Sequence, residues 1–254
     1  MTQLHYSSAG DGEALVVLHG LFGSSRNWQS LSRRFASRFQ VFSVDLRNHG
    51  QSFHADEMNY PAMAGDLAAL LQQLGLESCR ILGHSMGGKV AMTLAANYPG
   101  LVGRLVIADI APVSYLHHYD DLIEPILALP LEQIESRTQA DHRLRQHIPE
   151  DPLRTFLLQN LVRQADGWRW RINWRAIQRD MEFLTGFDEM PAGWRIDLPT
   201  LFIRGARSDY VGDAEIDLIR ERFGDAEIAT IEGAGHWLHA ERPEEFAERV
   251  LAFL

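Results

Sequence analysis

A serine between glycines, a histidine in a glycine-rich loop and a carboxylate closing an apolar run are the parts from which a hydroxyl nucleophile is assembled, and this chain carries all three. The serine is Ser85, within Gly83-His84-Ser85-Met86-Gly87-Gly88. An apolar run through Ile81 and Leu82 precedes it and a helix-period pattern reaches Leu94, so Ser85 falls on a strand-to-helix turn. Such a turn lifts the hydroxyl clear of the backbone in a φ/ψ region that most residues avoid. The amide of Met86, on the first helical turn, faces any anion forming beside Ser85. A serine hydroxyl is a poor nucleophile unless a neutral imidazole accepts its proton and a carboxylate fixes that imidazole's tautomer. His236, in Gly233-Ala234-Gly235-His236-Trp237, is the candidate base, with His239 as the alternative three residues on.

Positioning these groups at one edge requires parallel strands. Residues 3–8 read as an edge strand, and continuous apolar runs at 14–18, 40–45, 105–109, 200–205 and 227–231 suit strands covered on both faces. The strand at 14–18 runs into His19-Gly20-Leu21-Phe22-Gly23, where ligands bind in open α/β sheets, and the amide of Leu21 is the candidate second donor to an oxyanion. Ser24 or Ser25 caps the next helix, and Met63, Leu67, Leu70, Leu71 and Leu74 give a further helix its apolar face, closed by Gly75. From Val113 to Leu198 the strand–helix alternation stops, and the sequence becomes helical and aromatic: Tyr115, Tyr119, Phe156, Trp168, Trp170, Trp174, Phe183, Phe187 and Trp194. Most of these should form this segment's own core, and a few should face Ser85. A helix from Pro243 to Leu254 closes the chain.

The serine turn, the His-Gly loop and Asp45-Leu46-Arg47-Asn48-His49-Gly50-Gln51-Ser52, in this order, resemble the α/β-hydrolase superfamily from about residue 14 to the C-terminus. The Arg-Asn-His-Gly form is similar to bacterial carboxylesterases and acyl-thioester hydrolases of the YbfF type. The resemblance implies an α/β fold with a mostly parallel sheet of eight, or seven, strands flanked by helices. It also implies residues 1–112 and 199–254 as the core and 113–198 as a helical cap inserted after the sixth strand. Many members have glycine where this chain has Asn48, while Asp45 and Arg47 are expected to pair structurally and His49 to be a loop residue. The usual acid site in such hydrolases resembles G-x-x-D-x-x-V, and counting from Gly205 and Val211 gives that slot to Ser208, leaving Asp209 one residue late. Asp109 resembles the acid position of haloalkane dehalogenases, so Asp109 is favoured, with Ser208 as a fourth member and Asp209 as the alternative acid. His19, Phe22, His84, Tyr115 and Trp237 are expected to line the substrate pocket.

The expected chemistry is hydrolysis of small, largely apolar carboxylic esters, or acyl thioesters, through an acyl-enzyme. A cofactor-free haloperoxidase, a carbon–carbon bond hydrolase and a non-catalytic ligand sensor are the alternatives on the same residues. Dehalogenase and epoxide hydrolase chemistry would, by resemblance, need a carboxylate at position 85. With 254 residues, 34 acids against 24 bases and a net charge of −10, the chain fits one catalytic body, and neither nucleic acid nor membrane is expected as a partner. No stretch approaches the ~18 consecutive apolar residues of a membrane span. No secretory signal is visible and the single cysteine, Cys79, is expected as core filler, which points to a cytoplasmic location; a monomer or small homo-oligomer is expected. His117, His118, His142 and His147 lack metal-ligand spacing, so no metal or other cofactor is expected.

Overall fold

The computed structural model describes residues 3–116 and 119–254, and His117 and His118 lie outside them. Seven strands form the main sheet: β1 (Tyr6–Ala9), β2 (Glu13–Leu18), β3 (Phe39–Val44), β4 (Cys79–His84), β5 (Val102–Ala108), β8 (Thr200–Gly205) and β9 (Ala226–Ile231), in spatial order β1-β3-β2-β4-β5-β8-β9. Only β1 runs antiparallel to its neighbour. The expected first strand is thus confined to Tyr6–Ala9, and Cys79 is buried at the start of β4.

Strand order reverses beside β2: the chain steps from β2 outward to β3, then returns to the other side of β2 with β4 and continues to β5. Loops leaving β2 and β4 therefore diverge, opening a crevice over the carboxyl ends of the two strands. Helices α1 (Gln29–Phe35), α2 (Tyr60–Gln73) and α3 (Met86–Asn97) fill the crossovers, and Asn59 caps α2 by accepting from the Ala62 amide. Later come α9 (Asp213–Arg222), α10 (Leu238–Glu241) and α11 (Pro243–Phe253).

Between β5 and β8 the chain leaves the sheet. It builds α4 (Asp120–Leu127), α5 (Arg137–Leu144), α6 (Asp151–Leu158), the strands β6 (Leu161–Gln164) and β7 (Gly167–Trp170), then α7 (Trp174–Arg179) and α8 (Met181–Thr185). Two features differ from the sequence reading. With seven strands in the sheet, the insertion follows the fifth in chain order and not the sixth. It is also not wholly helical, because β6 and β7 pair antiparallel with Gln164 opposite Gly167. The two-residue connection Ala165-Asp166 leads into Gly167 at φ 129°, and the strand alternates inward Trp168 and Trp170 with outward Arg169. One apolar cluster runs without a break from Val16 and Ile107 in the sheet to Ile123, Leu144 and Ile177 in the insertion.

The contact between α3 and the sheet is unusually close. A Cβ on Gly83 would lie 2.3 Å from the Gly87 carbonyl oxygen, and one on Gly87 would lie 2.6 Å from those of Leu18 and His19. Backbone stands on both sides, so neither clash can be relieved by a rotamer change. Gly83→Ala should therefore cost about 3 kcal/mol or more, lowering Tm by at least ~6 °C. Gly100→Ala, where a Cβ meets nothing within 4 Å, should stay within ~0.5 kcal/mol of the parent. Equal thermal stability of the two variants would contradict this account of the elbow.

Candidate active site

Ser85 leaves β4 with φ 52° and ψ −120°, outside the regions that side chains favour. Its amide donates to the Ala108 carbonyl, holding the turn to β5, while the Gly88 and Lys89 amides donate to its own carbonyl and start α3. Asp109 leaves β5 one step further across the sheet, also at positive φ (51°), with its amide bonded to the Ile203 carbonyl. His84 pairs with Ala108 in register, so the two positive-φ residues emerge side by side at the same sheet edge.

From that edge a continuous hydrogen-bond chain forms. Ser85 Oγ is 3.1 Å from His236 Nε2, and His236 Nδ1 is 2.8 Å from Asp109 Oδ2. Asp109 is fully buried; its Oδ2 also accepts from Ser208 Oγ, and its Oδ1 accepts from the Gly205 amide at 2.9 Å. Because a carboxylate only accepts, Nδ1 of His236 carries the proton and Nε2 is left to accept from Ser85. Ser208, Asp109, His236 and Ser85 are thus brought together. Asp209 is not: the Ser208 amide closes a turn onto the Gly205 carbonyl, placing Ser208 inward and Asp209 on the exposed side. His239 is buried, stacks on Trp28 at 4.5 Å and leaves its Nδ1 without a hydrogen bond among the described residues.

The amides of Leu21 and Met86 make no hydrogen bond among the described residues, and both residues border Ser85. Two buried histidines hold the loop that carries Leu21. His19 donates from Nδ1 to the Gly20 carbonyl and accepts the Leu46 amide at Nε2, while His49 accepts the Phe22 amide at Nε2. Burial lowers both imidazole pKa values, that of His49 to about 3, and so keeps these struts neutral. His84 is likewise held neutral by burial and then by its histidine neighbours, and its Nε2 donates to the His236 carbonyl at 2.8 Å.

Four of the expected pocket residues, His19, Phe22, His84 and Trp237, line a cavity of about 430 Å³ over Ser85 and His236, completed by Trp28, Phe156 and Leu122 among others. Tyr115 instead borders a recess of about 30 Å³ on another side of Ser85, and its hydroxyl donates to the Tyr210 carbonyl and accepts from the Ala111 amide. Of the aromatic residues in the insertion, Tyr119 and Phe156 reach the larger cavity, and His142 and His147 are exposed.

Three features were not read from the sequence correctly or at all. Asp45 and Arg47 do not pair: Asp45 accepts the Ser25 and Gln51 amides, and Arg47 binds Asp66 at 2.6 Å. A buried carboxylate between two loop amides is satisfied where it stands, and an arginine pointing the opposite way finds α2 instead. Tyr210 stacks on His236, with ring centroids 4.0 Å apart. Lys89, one turn along α3 from Ser85, is buried with Nζ bonded to the carbonyls of Thr185 and Gly186 and surrounded by the rings of Tyr60, Tyr115 and Phe187. A lysine after G-x-S-x-G-G was visible, but nothing local marked it as buried.

Residues 13–243 match the model of the alpha/beta hydrolase fold family. The chain is 39% identical to a mouse sn-1-specific diacylglycerol lipase over 95% of its length and 80% of the mouse protein. It is 38% identical to the Escherichia coli esterase YbfF, covering 94% and 92% of the two chains. Among solved structures, an esterase from a marine microorganism superposes with a TM-score of 0.95 at 39% identity, covering each chain completely. The chain belongs to the α/β-hydrolase family. It is a hydrolase, and its relatives of the YbfF type are esterases by name.

Two measurements test this site. If Asp109 orients His236, Asp109→Asn should lower kcat on the order of 10³ to 10⁴-fold by favouring the wrong tautomer, and Asp209→Asn should change it little. Ser208→Ala should fall between, roughly ten- to a hundredfold, for loss of a hydrogen bond to a charged group. The reverse ranking of the two aspartates would contradict the geometry. For Lys89, burial pushes the pKa from 10.5 to about 7, so between these values the unfolded chain binds the extra proton and stability rises with pH. The urea midpoint should therefore climb between about pH 7 and about pH 9, and Lys89→Met should flatten that climb. An unchanged slope in Lys89→Met would contradict it.

Proposed function

We propose that this hydrolase is a carboxylesterase that uses Ser85 as nucleophile, His236 as general base and acid, and Asp109, assisted by Ser208, to hold and charge-balance the imidazole. The observation that carries this reading is the unbroken chain Ser85–His236–Asp109 beneath a largely apolar cavity. Ester hydrolysis as the reaction class is supported by the relatives named esterase and lipase.

Ser85 Oγ attacks the ester carbonyl as His236 Nε2 takes its proton. The tetrahedral oxyanion accepts hydrogen bonds from the Leu21 and Met86 amides, which are fixed before substrate arrives. His236 then returns the proton to the departing alcohol, leaving an acyl-Ser85 ester. Water, deprotonated by the same imidazole, releases the carboxylic acid. An acyl thioester presents the same carbonyl to the same donors and belongs in the substrate range. Residues 113–198 act as the cap over the site. The Asn160 side chain, donating to the Phe22 carbonyl, ties that cap to the loop that supplies the Leu21 donor.

Ser85→Ala should reduce turnover of p-nitrophenyl esters and acyl-CoA thioesters by ~10⁴-fold or more while Tm stays within a few degrees, because the hydroxyl's role is chemical. Turnover persisting in pure Ser85→Ala protein would overturn the assignment.

A further inference from the structure

The amide that Leu21 offers to an oxyanion sits in a turn that is held from outside itself. Leu21 and Phe22 are the central residues of that turn, which the Gly23 amide closes on the Gly20 carbonyl at 3.0 Å. Phe22 adopts φ 63°, and the third of four turn residues at positive φ favours glycine, so a phenylalanine there needs support from its surroundings. The turn also passes close to the nucleophile: a Cβ on Gly20 would stand 3.3 Å from that of Ser85. A small displacement of the turn therefore moves the Leu21 amide relative to the reacting carbonyl.

Support comes from both sides of the boundary between the sheet and the insertion. From the sheet side, His49 Nε2 accepts the Phe22 amide at 3.2 Å. From the insertion, Asn160, buried in the short link between α6 and β6, donates from Nδ2 to the Phe22 carbonyl at 2.8 Å, and the Trp174 ring packs against that of Phe22 with centroids 5.0 Å apart. A trans peptide holds its carbonyl and its N–H rigidly opposed, so a bond made to one aims the other. Asn160 Nδ2 grips the carbonyl of the Phe22-Gly23 peptide, whose N–H grips the carbonyl of the Gly20-Leu21 peptide, whose own N–H is the oxyanion donor. We propose that Asn160 is a positioning residue for the reaction: through these two peptide units it aims and polarises the Leu21 donor, so that docking of the insertion completes the oxyanion hole. Each bond in such a chain strengthens the next by roughly 10–30%. This proposal rests on Ser85 and Leu21 acting as assigned above.

A side chain that only fastened the insertion would act on stability and on substrate fit. Asn160 Nδ2 also donates to the Leu157 carbonyl at 3.2 Å, within the insertion, so its removal lowers stability in either case. What separates the two roles is where the loss of activity falls. Every ester forms its oxyanion at the same carbonyl, so a misaimed donor lowers kcat by one factor for small and bulky esters alike and leaves KM nearly unchanged. A loosened roof acts on KM, and on bulky esters most. Outright loss of an oxyanion donor costs ~10² to 10³ in kcat. The Gly20 carbonyl keeps a second bond, from His19 Nδ1 at 2.9 Å, so loss of Asn160 should weaken the donor without abolishing it.

The test compares Asn160→Ala with Asn160→Asp, whose carboxylate keeps the shape but only accepts, on p-nitrophenyl acetate and naphthyl acetate. In both variants kcat should fall about 10- to 50-fold, by the same factor for the two esters, with KM within ~3-fold of the parent. The inhibition constant of an aryl trifluoromethyl ketone, whose carbonyl adds Ser85 Oγ and becomes an oxyanion, should rise by the factor by which kcat/KM falls. Asp180→Ala cuts another hydrogen bond across the boundary, from the Met58 amide at 2.8 Å, and should lower Tm while kcat stays within ~3-fold. In the parent, forming the ketone adduct should shift the proton resonances of the Leu21 and Gly23 amides and of the Asn160 side-chain NH₂ together, which decides the matter even if neither Asn160 variant folds. An unchanged kcat, a loss confined to KM or to naphthyl acetate, an equal loss in Asp180→Ala, or an Asn160 resonance that stays in place would overturn the proposal. Turnover that survives in Ser85→Ala, or an adduct that leaves the Leu21 resonance unmoved, would instead overturn the nucleophile or the Leu21 donor on which it rests.

Discussion

The tight approach of α3 to the carboxyl ends of β2 and β4 is the constraint on which the rest of the site depends. It exists because Gly83 and Gly87 place backbone against backbone where a Cβ would overlap a carbonyl oxygen. With that contact made, Ser85 occupies a positive-φ turn whose hydroxyl lies 3.1 Å from His236 Nε2. The same contact fixes the start of α3, which leaves the Met86 amide on the first helical turn beside Ser85. Strain at one residue is thereby held in place by the packing of an entire helix.

Around this elbow, the protein separates charge from neutrality by burial. One carboxylate, Asp109, is kept fully inside with three hydrogen-bond donors and so can face an imidazolium across 2.8 Å. His19, His49 and His84 are buried without such a partner, and burial keeps them uncharged as main-chain struts under the loops that flank Ser85. Histidines of one residue type thus serve two purposes, and what distinguishes them is whether a carboxylate stands at hydrogen-bond distance. His236 has Asp109 on one side, Ser85 on the other and the Tyr210 ring against its face.

The legible part of this design was local. G-x-S-x-G between a strand and a helix specifies its own geometry, and a histidine after the last strand reaches the same sheet edge because parallel strands all end there. Asp109 could be favoured over Asp209 because the register counted from Gly205 and Val211 gives the usual acid slot to Ser208 and because Asp109 resembles the acid position of another branch of the superfamily; the turn from Gly205 to Ser208 supplies the physical reason. Long-range partners were not legible. Arg47 finding Asp66, Tyr210 covering His236 and the insertion's α8 receiving Lys89 are choices of neighbours far apart in sequence, made by packing. The β6–β7 hairpin is a different case: Asp166-Gly167 and the alternating tryptophans were present, but a segment rich in aromatic residues and flanked by helices was read as one structural type.

The central claim is that Ser85 becomes covalently acylated, and trapping of that bond tests it most directly. The protein would be treated with a stoichiometric fluorophosphonate, which phosphonylates an activated serine, and then measured by intact mass and peptide mapping. The account predicts one adduct per chain, located on Ser85, formed rapidly in the parent and far more slowly in His236→Ala, where no imidazole accepts the proton. No adduct, an adduct on another residue, or equal labelling rates with and without His236 would contradict it.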